Sequence, residues 1–412
     1  MVRLPFLLDA QGRFHFVDLV GDRGVWERVP NWPEPMPVLS AVGYQQERQE
    51  VILGTVEGLF SVVKVDYQPV FDVEGRRRIE VELKSDEAFI LLGAEGAPIR
   101  SIDFAQADRR RLVVGIVELG EGQLGIQALL MKRKRSLLGV GQLKVDQRYD
   151  LSSLVEGVPN KVLVNASADA VVVLTEEGAV YYLVEEAGEF YLRQRFEPFG
   201  NKAVPEVASM DYLLGRVSLY LTHASGQNVL YSLYRPQENG QRLFGRTKEF
   251  PLLSGGVDGF AMSQRNKAFL LTSGQEISLR FGTTAEVRWQ QMVDYEPRLA
   301  VISGKYDRLL IMDDEGRLHP YRLDDPHPEA SFRSFFGKLW YEGQSEPEYA
   351  WQSSGATDDF EPKLSLIPLI FGSLKGTIFA LIFALPIALL SAIYTAQFLN
   401  HRRLNHPAPT RV

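Results

Sequence analysis

One pattern recurs seven times between residues 1 and 345: an apolar run, a polar turn containing glycine, then a second apolar run. The units are LPFLLDAQGRFHFVDL, EVILGTVEGLFSVVKV, RLVVGIVELGEGQLGIQALL, AVVVLTEEGAVYYLV, VSLYLTHASGQNVLYSLY, AFLLTSGQEISLRF and RLLIMDDEGRLHPYRL. Their turn glycines, Gly12, Gly58, Gly122, Gly178, Gly226, Gly274 and Gly316, lie 42 to 64 residues apart. Glycine accepts the positive φ of a tight hairpin, and the acidic or amide residues beside it face water. The flanks are β-branched and aromatic, which suits paired strands. A lone hairpin cannot bury its apolar face. Units of this length arranged radially can, and their edges stay short. The expected fold is therefore all-β, a seven-bladed β-propeller over residues 1–345. A pair of β-sandwiches or a helical solenoid would compete, but stretches of helical period are scarce before residue 364.

Composition narrows the function classes. With 45 Lys and Arg against 52 Asp and Glu, the net charge is −7, a poor whole-molecule match for a phosphate backbone, so no nucleic-acid partner is expected. The chain has no cysteine and six histidines, with no HExxH among them. Thiolate metal sites, disulfides and cysteine nucleophiles are excluded, and neither a cofactor nor a metal is expected.

The texture changes beyond residue 364. From Gly376 to Asn400 there are 25 residues without a charge. A helix over Thr377–Phe398 would be about 33 Å long at roughly 1.5 Å per residue, matching a hydrocarbon core of about 30 Å. Pro386 inside the span bends the axis and frees a carbonyl, which a helix packed among others can satisfy. Residues 401–412 carry Arg402, Arg403 and Arg411 and no acid, whereas 345–363 carry five acids against Lys363. The basic flank places the C-terminus in the cytoplasm and the large domain outside. The N-terminal apolar run is cut by Asp9 and makes no signal peptide, so either an element upstream exports that domain or the orientation is the reverse. The resulting division is 1–345 extracytoplasmic propeller, 346–375 periplasmic and interfacial connector, 376–400 transmembrane helix and 401–412 cytoplasmic tail. Within the connector, Trp351 and Phe360 suit an interfacial position. LSLIPLIFG, punctuated by Pro368 and Gly372, is too short to span and reads as a helix or bend lying at the interface. Lys375 follows as a snorkelling anchor, and Gly372, Ser373, Gly376 and Thr377 would admit a second helix closely.

Other motifs carry less. GEGQLG, with Gly120, Gly122 and Gly125, fits a dinucleotide fingerprint but sits among hairpins and reads as a turn. Lys132, Arg133, Lys134 and Arg135 form a compact basic run, either a solvated strand end or a contact for anionic lipid or an acidic partner. Asp313 and Asp314 read as turn chemistry, and His319 and His327 as loop residues. No carboxylate or histidine constellation points to an enzyme.

The segment Thr357-Asp358-Asp359-Phe360-Glu361-Pro362-Lys363, followed by Pro368-Leu369-Ile370-Phe371-Gly372-Ser373-Leu374-Lys375-Gly376-Thr377, Ala384-Leu385-Pro386-Ile387-Ala388 and Ala392-Ile393-Tyr394, closely resembles the permease subunits of bacterial phosphate ABC importers, specifically the PstC-type subunit in its long form. Ser373 stands where threonine is commoner. In such permeases this motif leads into the first core helix, and long forms carry a large extracytoplasmic insertion before it. The resemblance implies a role in ATP-driven phosphate import at a bacterial inner membrane. The implied partners are a second permease subunit, a cytoplasmic ATPase dimer and a periplasmic phosphate-binding protein, which the propeller would dock or regulate. It also implies that these residues are an incomplete portion of a permease, with an upstream helix, the remaining core helices and the ATPase-coupling loop outside them. Lys375 and Thr377 are chemically able to touch an anion, but Lys375 serves equally as an interfacial anchor. A membrane-anchored propeller that scaffolds other proteins, without transport, is the alternative expectation.

Overall fold

The computed structural model describes residues 4–19, 24–32, 36–71, 73–85, 89–120, 122–136, 139–200, 207–236, 240–355 and 360–398. Seven antiparallel sheets follow one another in chain order among these residues. Blade 1 comprises Phe6–Leu8, Phe14–Val17 and Val25–Arg28. Blade 2 comprises Leu39–Gln45, Glu50–Thr55, Leu59–Phe71 and Arg77–Ser85, with Ile90–Leu91 added against its third strand. Blade 3 runs through Ile99–Ala107, Arg110–Gly120, Gln123–Ser136 and Gly139–Asp150. Blade 4 holds Pro159–Val164, Ala170–Thr175, Val180–Glu186 and Glu189–Phe196. Blade 5 holds Val207–Tyr212, Ser218–His223, Asn228–Tyr234 and Leu243–Glu249. Blade 6 holds Gly259–Met262, Ala268–Ser273, Glu276–Phe281 and Glu286–Met292. Blade 7 has three strands, Pro297–Ile302, Arg308–Asp313 and Leu318–Arg322. The chain is a seven-bladed β-propeller followed by a long apolar helix.

All seven turn glycines have positive φ, between 53° and 85°. Each connects the two strands of the hairpin that the sequence pattern marks. The positions differ in what a side chain would meet. A Cβ on Gly226 would lie 2.2 Å from the Leu253 carbonyl oxygen, whereas one on Gly274 would meet nothing within 4 Å. In blades 2, 4 and 6 the second strand is buried at every position because blades pack on both of its faces. The apolar core is accordingly spread over the interfaces between blades. Val171, Val173 and Tyr181 face blade 3, while Val172, Leu174 and Tyr182 face blade 5.

Blades 1 and 7 share a turn of the form Asp-x-x-Gly-Arg-x-His. The Asp9 carboxylate accepts hydrogen bonds from the Arg13 backbone N–H, the Arg13 guanidinium and the His15 ring at 2.8–2.9 Å. Asp313 does the same with Arg317 and His319 at 2.8 Å. His319 thus belongs to a strand, stacked 3.8 Å from the Tyr295 ring, rather than to a loop. Of GEGQLG, Gly120 ends the second strand of blade 3, Gly122 has a positive φ, and residues 123–125 open the third strand paired with it, so these glycines belong to a hairpin.

The strands of the propeller end at Arg322, before the expected boundary at 345. A short helix, α1 (Phe332–Phe336), follows, capped by a reciprocal Ser331–Ser334 pair. A two-stranded ribbon then pairs Trp351–Gln352 with Lys363–Leu364. The long helix, α2 (Ile367–Phe398), has 32 residues and starts well before Gly376, so LSLIPLIFG enters its first turns instead of lying as a separate element. Pro368 falls in that first turn, where its missing N–H has no intrahelical partner to lose. At about 1.5 Å per residue α2 is about 48 Å long.

Candidate functional site at the propeller–helix junction

In an antiparallel meander the first-to-second and third-to-fourth connections lie at one end of each blade, and the second-to-third turns lie at the other. The seven glycine turns mark the second end. The connector docks at the first. Lys267, just before the second strand of blade 6, donates to the Leu214 carbonyl at 2.6 Å and to Glu342 Oε2 at 2.7 Å. The Ser218 hydroxyl donates to Glu342 Oε1 at 2.6 Å, and the Gly343 N–H reaches the Leu233 carbonyl at 3.0 Å. Thr283 donates to Glu361 Oε1 at 2.6 Å, while Glu361 Oε2 accepts the Glu342 N–H at 2.9 Å. Lys248 donates to the Trp340 carbonyl at 2.8 Å, and Arg333 to the Thr284 carbonyl at 2.9 Å. Residues 339–343 therefore form a wedge between blades 5 and 6, with Leu339 and Tyr341 buried as its apolar body.

The electrostatics follow from that burial. Desolvation pushes the Glu342 carboxyl up from its ordinary value, opposed by the Lys267 ammonium. Desolvation likewise lowers the Lys248 amine, opposed by Glu361 and Glu342. Such charges stay in a folded protein only when paired and hydrogen-bonded. The arrangement fixes the connector. It supplies no nucleophile beside a base.

The residues singled out in the sequence separate into three groups. Asp358 and Asp359 lie outside the described residues. Glu361 is buried against the propeller, so at least one acid of the motif is an internal latch and does not face a membrane surface; Pro362 and Phe360 flank it, half-buried, and Lys363 lies over the Tyr341 ring at 5.4 Å. Pro368, Gly372, Lys375, Gly376, Thr377 and Pro386 share one continuous helix, exposed at each of these positions. Lys375 lies over the Phe379 ring at 5.7 Å, and the Thr377 hydroxyl donates back to the Ser373 carbonyl at 2.9 Å. The chain leaves the wedge through Leu366, whose N–H reaches the Phe335 carbonyl at 2.8 Å, and α2 begins there.

Two features extend beyond the residues singled out in the sequence. Gly372, Gly376, Ala380, Ala384, Ala388, Ala392 and Ala396 fall at every fourth position of α2, a small-residue ridge winding along the helix. The third strands of blades 2 and 3 have 13 and 14 residues, against 6 or 7 in blades 4, 5 and 6. The extra length projects from the face on which the connector docks. In blade 2 it carries Phe71 and Val73, both exposed, to its tip.

The propeller's channel has a cavity of about 690 Å3 lined by the first strands of blades 2–7. At its wall Lys161–Asp211 (2.8 Å) pairs blade 4 with blade 5, and Arg216–Asp103 (3.0 Å) reaches past blade 4 to join blade 5 to blade 3. Among the described residues no group of three or more histidine and carboxylate side chains is placed to hold a metal.

A propeller joined through a buried wedge to one helix long and apolar enough to cross a membrane defines the class of this chain. In backbone it is similar to the β-propeller domain of Myceliophteria thermophila Cps50 (Swd1), with a TM-score of 0.51 and 10% sequence identity, covering 78% of this chain and 93% of that one. At that identity the likeness concerns the fold alone. No protein-family model and no curated protein matches the sequence.

Proposed function

We propose that the chain is part of the membrane permease of an ATP-driven phosphate importer of a bacterial inner membrane, with its propeller on the periplasmic side and its C-terminus in the cytoplasm. The observation that carries the reading is α2 itself. It holds the permease-like motif from Pro368 to Tyr394, exposes every described residue beyond Ile367, and combines the Gly372–Ala396 ridge with Pro386. A solitary anchor in lipid gains nothing from small residues at every fourth position, whereas a helix packed among others approaches its neighbours there. The proline's freed carbonyl likewise calls for a protein partner.

In this reading the chain does no covalent chemistry. Its helix contributes to a gated path, and partner ATPases bias two conformations of the assembly. The wedge holds the propeller to the membrane-proximal end of that helix, and a periplasmic phosphate-binding protein would meet the propeller. Phosphate uptake tests it in a strain deleted for the parent gene and restored with the whole protein or with a version lacking residues 1–345. Loss of uptake on deletion, restored by the whole protein, supports the permease. Uptake unaltered by the deletion leaves the scaffold reading, a propeller tethered to the membrane that gathers other proteins.

A further inference from the structure

Two neighbouring blades outgrow the disc on the face that leads to α2. In blade 2 the Val65 N–H still bonds the Gln49 carbonyl, at the turn before the second strand. Residues 66–71 run past that turn, paired only with residues 77–82. At about 3.4 Å per residue they carry the hairpin tip about 20 Å beyond the blade. In blade 3 the Arg133 N–H bonds the Arg109 carbonyl, and Arg135 and Ser136 run past that turn, paired with Val140 and Gly139.

The two hairpins combine an apolar tip with cations. Residues 71–78, FDVEGRRR, expose Phe71 and Val73, followed by three exposed arginines against Asp72 and Glu74. Glu74 pairs with Arg76, and lower on the stem Asp66 and Glu82 are held by Lys84. Residues 131–145 of blade 3, MKRKRSLLGVGQLKV, hold five cations and no acid. Lys132 reaches Asp146 at 2.8 Å and stays half exposed.

Position selects the occupant of this face. α2 begins at the wedge with no intervening linker: the Leu366 N–H bonds the Phe335 carbonyl, and the Leu366 carbonyl already accepts the Ile370 N–H. A helix that enters a bilayer there draws the connector face down to the headgroups, and hairpins projecting from that face meet lipid. The opposite face has the wrong charge for such a surface. Its glycine turns in blades 2, 4 and 7 expose Glu57, Glu176, Glu177, Asp314 and Glu315.

We propose that the hairpins of blades 2 and 3 bind anionic phospholipid headgroups, with Phe71 and Val73 entering the acyl boundary while Arg77, Arg78 and Lys132 meet the phosphates. The helix is rooted at blades 5 and 6 and the hairpins stand at blades 2 and 3, across the ring, so the two together set the tilt of the disc on the leaflet. A cation close to an anionic surface contributes about a factor of five in association, and salt screens it. The inference requires α2 to be inserted; it does not require the assembly to carry phosphate.

The test reconstitutes the full chain, carrying one dye through Val73→Cys, in nanodiscs of phosphatidylcholine alone or with phosphatidylglycerol added. Quenching by spin-labelled lipid is expected to strengthen about fivefold or more in the anionic discs. It is expected to fall back at about 1 M salt, where the Debye length is roughly 3 Å, an arm that needs no charge variant. Arg77→Gln with Lys132→Gln is expected to remove most of the rise. Equal quenching in neutral and anionic discs, or none in either, would overturn the proposal. So would shielding of residue 73 in native membranes that anionic discs do not reproduce, which would assign the face to an acidic partner protein. Failure of the chain to enter discs of either composition would overturn α2 as a span and the docking with it, and is distinguishable from hairpins that do not respond to lipid charge.

Discussion

Lys267 Nζ lies 2.7 Å from Glu342 Oε2, an ion pair closed between a propeller blade and the connector that leads to the membrane-length helix. Its lysine is almost wholly buried, and the two residues are 75 positions apart in the chain. It therefore reports on whether the wedge is seated.

Removing one member strands the other. Lys267→Met is expected to destabilise the propeller by about 3–5 kcal/mol, because an uncompensated buried carboxylate remains. The double variant Lys267→Met with Glu342→Leu should recover much of that loss. Glu361→Ala, which orphans the Thr283 hydroxyl and the Glu342 N–H, is expected to cost about 1–3 kcal/mol. Denaturant unfolding, with limited proteolysis of residues 338–366 as a second readout, distinguishes these outcomes.

The acid response of blades 1 and 7 has a definite sign. Burial pushes the Asp9 carboxyl up, but hydrogen bonds from His15 and Arg13 outweigh it and hold the group at about 2, below its ordinary 3.8. Asp313 is lowered in the same way, burial again being outweighed by His319 and Arg317. A depressed carboxyl contributes stability that is present above its unfolded value and lost as pH falls through the folded one. Urea unfolding between pH 5 and pH 2 should therefore show stability falling with acid. Asp9→Asn and Asp313→Asn should flatten that fall. Glu342, raised by burial, contributes in the opposite direction, with stability lost as pH rises, so Glu342→Gln should steepen the acid loss.

Two turn glycines separate backbone strain from steric clash. Gly274→Ala has open space and is expected to cost about 1–2 kcal/mol for its left-handed φ alone. Gly226→Ala meets the same backbone penalty and a Cβ that would sit 2.2 Å from the Leu253 carbonyl oxygen. It should fold poorly or not at all. Thermal melts of the two variants side by side give the comparison.

The small-residue ridge of α2 predicts a packing defect without loss of membrane residence. Gly376→Leu and Ala384→Leu keep the helix apolar, so the protein should still resist extraction by alkaline carbonate. Co-purification with the permease partners proposed above should fall by tenfold or so, the equivalent of about 1.4 kcal/mol. If both variants associate normally, the ridge is not a packing face.

The long third strand of blade 2 gives a positional test. The chain has no cysteine, so Val73→Cys and Glu315→Cys each carry a single dye, one on the connector face and one at a glycine turn on the opposite face. Quenching by spin-labelled lipid is expected at residue 73 and not at residue 315. Equal quenching, or none at residue 73, counts against that face lying on the bilayer.

Much of this molecule is legible in the sequence. Gly178, between Glu177 and Ala179, announces its hairpin because positive φ is a property of one residue. The uncharged stretch after Gly376 announces a span because transfer into hydrocarbon depends on side chains one at a time. Even the Gly372–Ala396 ridge needs only a ruler of four. Harder to read was the motif around Glu361. Its acids suggest a water-facing segment, and only burial against Thr283, 78 residues away, turns Glu361 into a latch. The start of α2 was misplaced because Pro368 looks like a break, although in a first turn it ends nothing.

The sequence by itself determined the repeating hairpins, their turns and the membrane-length helix, since each rests on local backbone preference or on hydrophobicity summed along a short window. The tertiary structure alone decided that Lys267 meets Glu342, and that Asp9 and Asp313 sit in matching turns on either side of the place where the ring closes. Those facts depend on which distant strands become neighbours, and the order of residues along a chain does not state how a ring closes on itself.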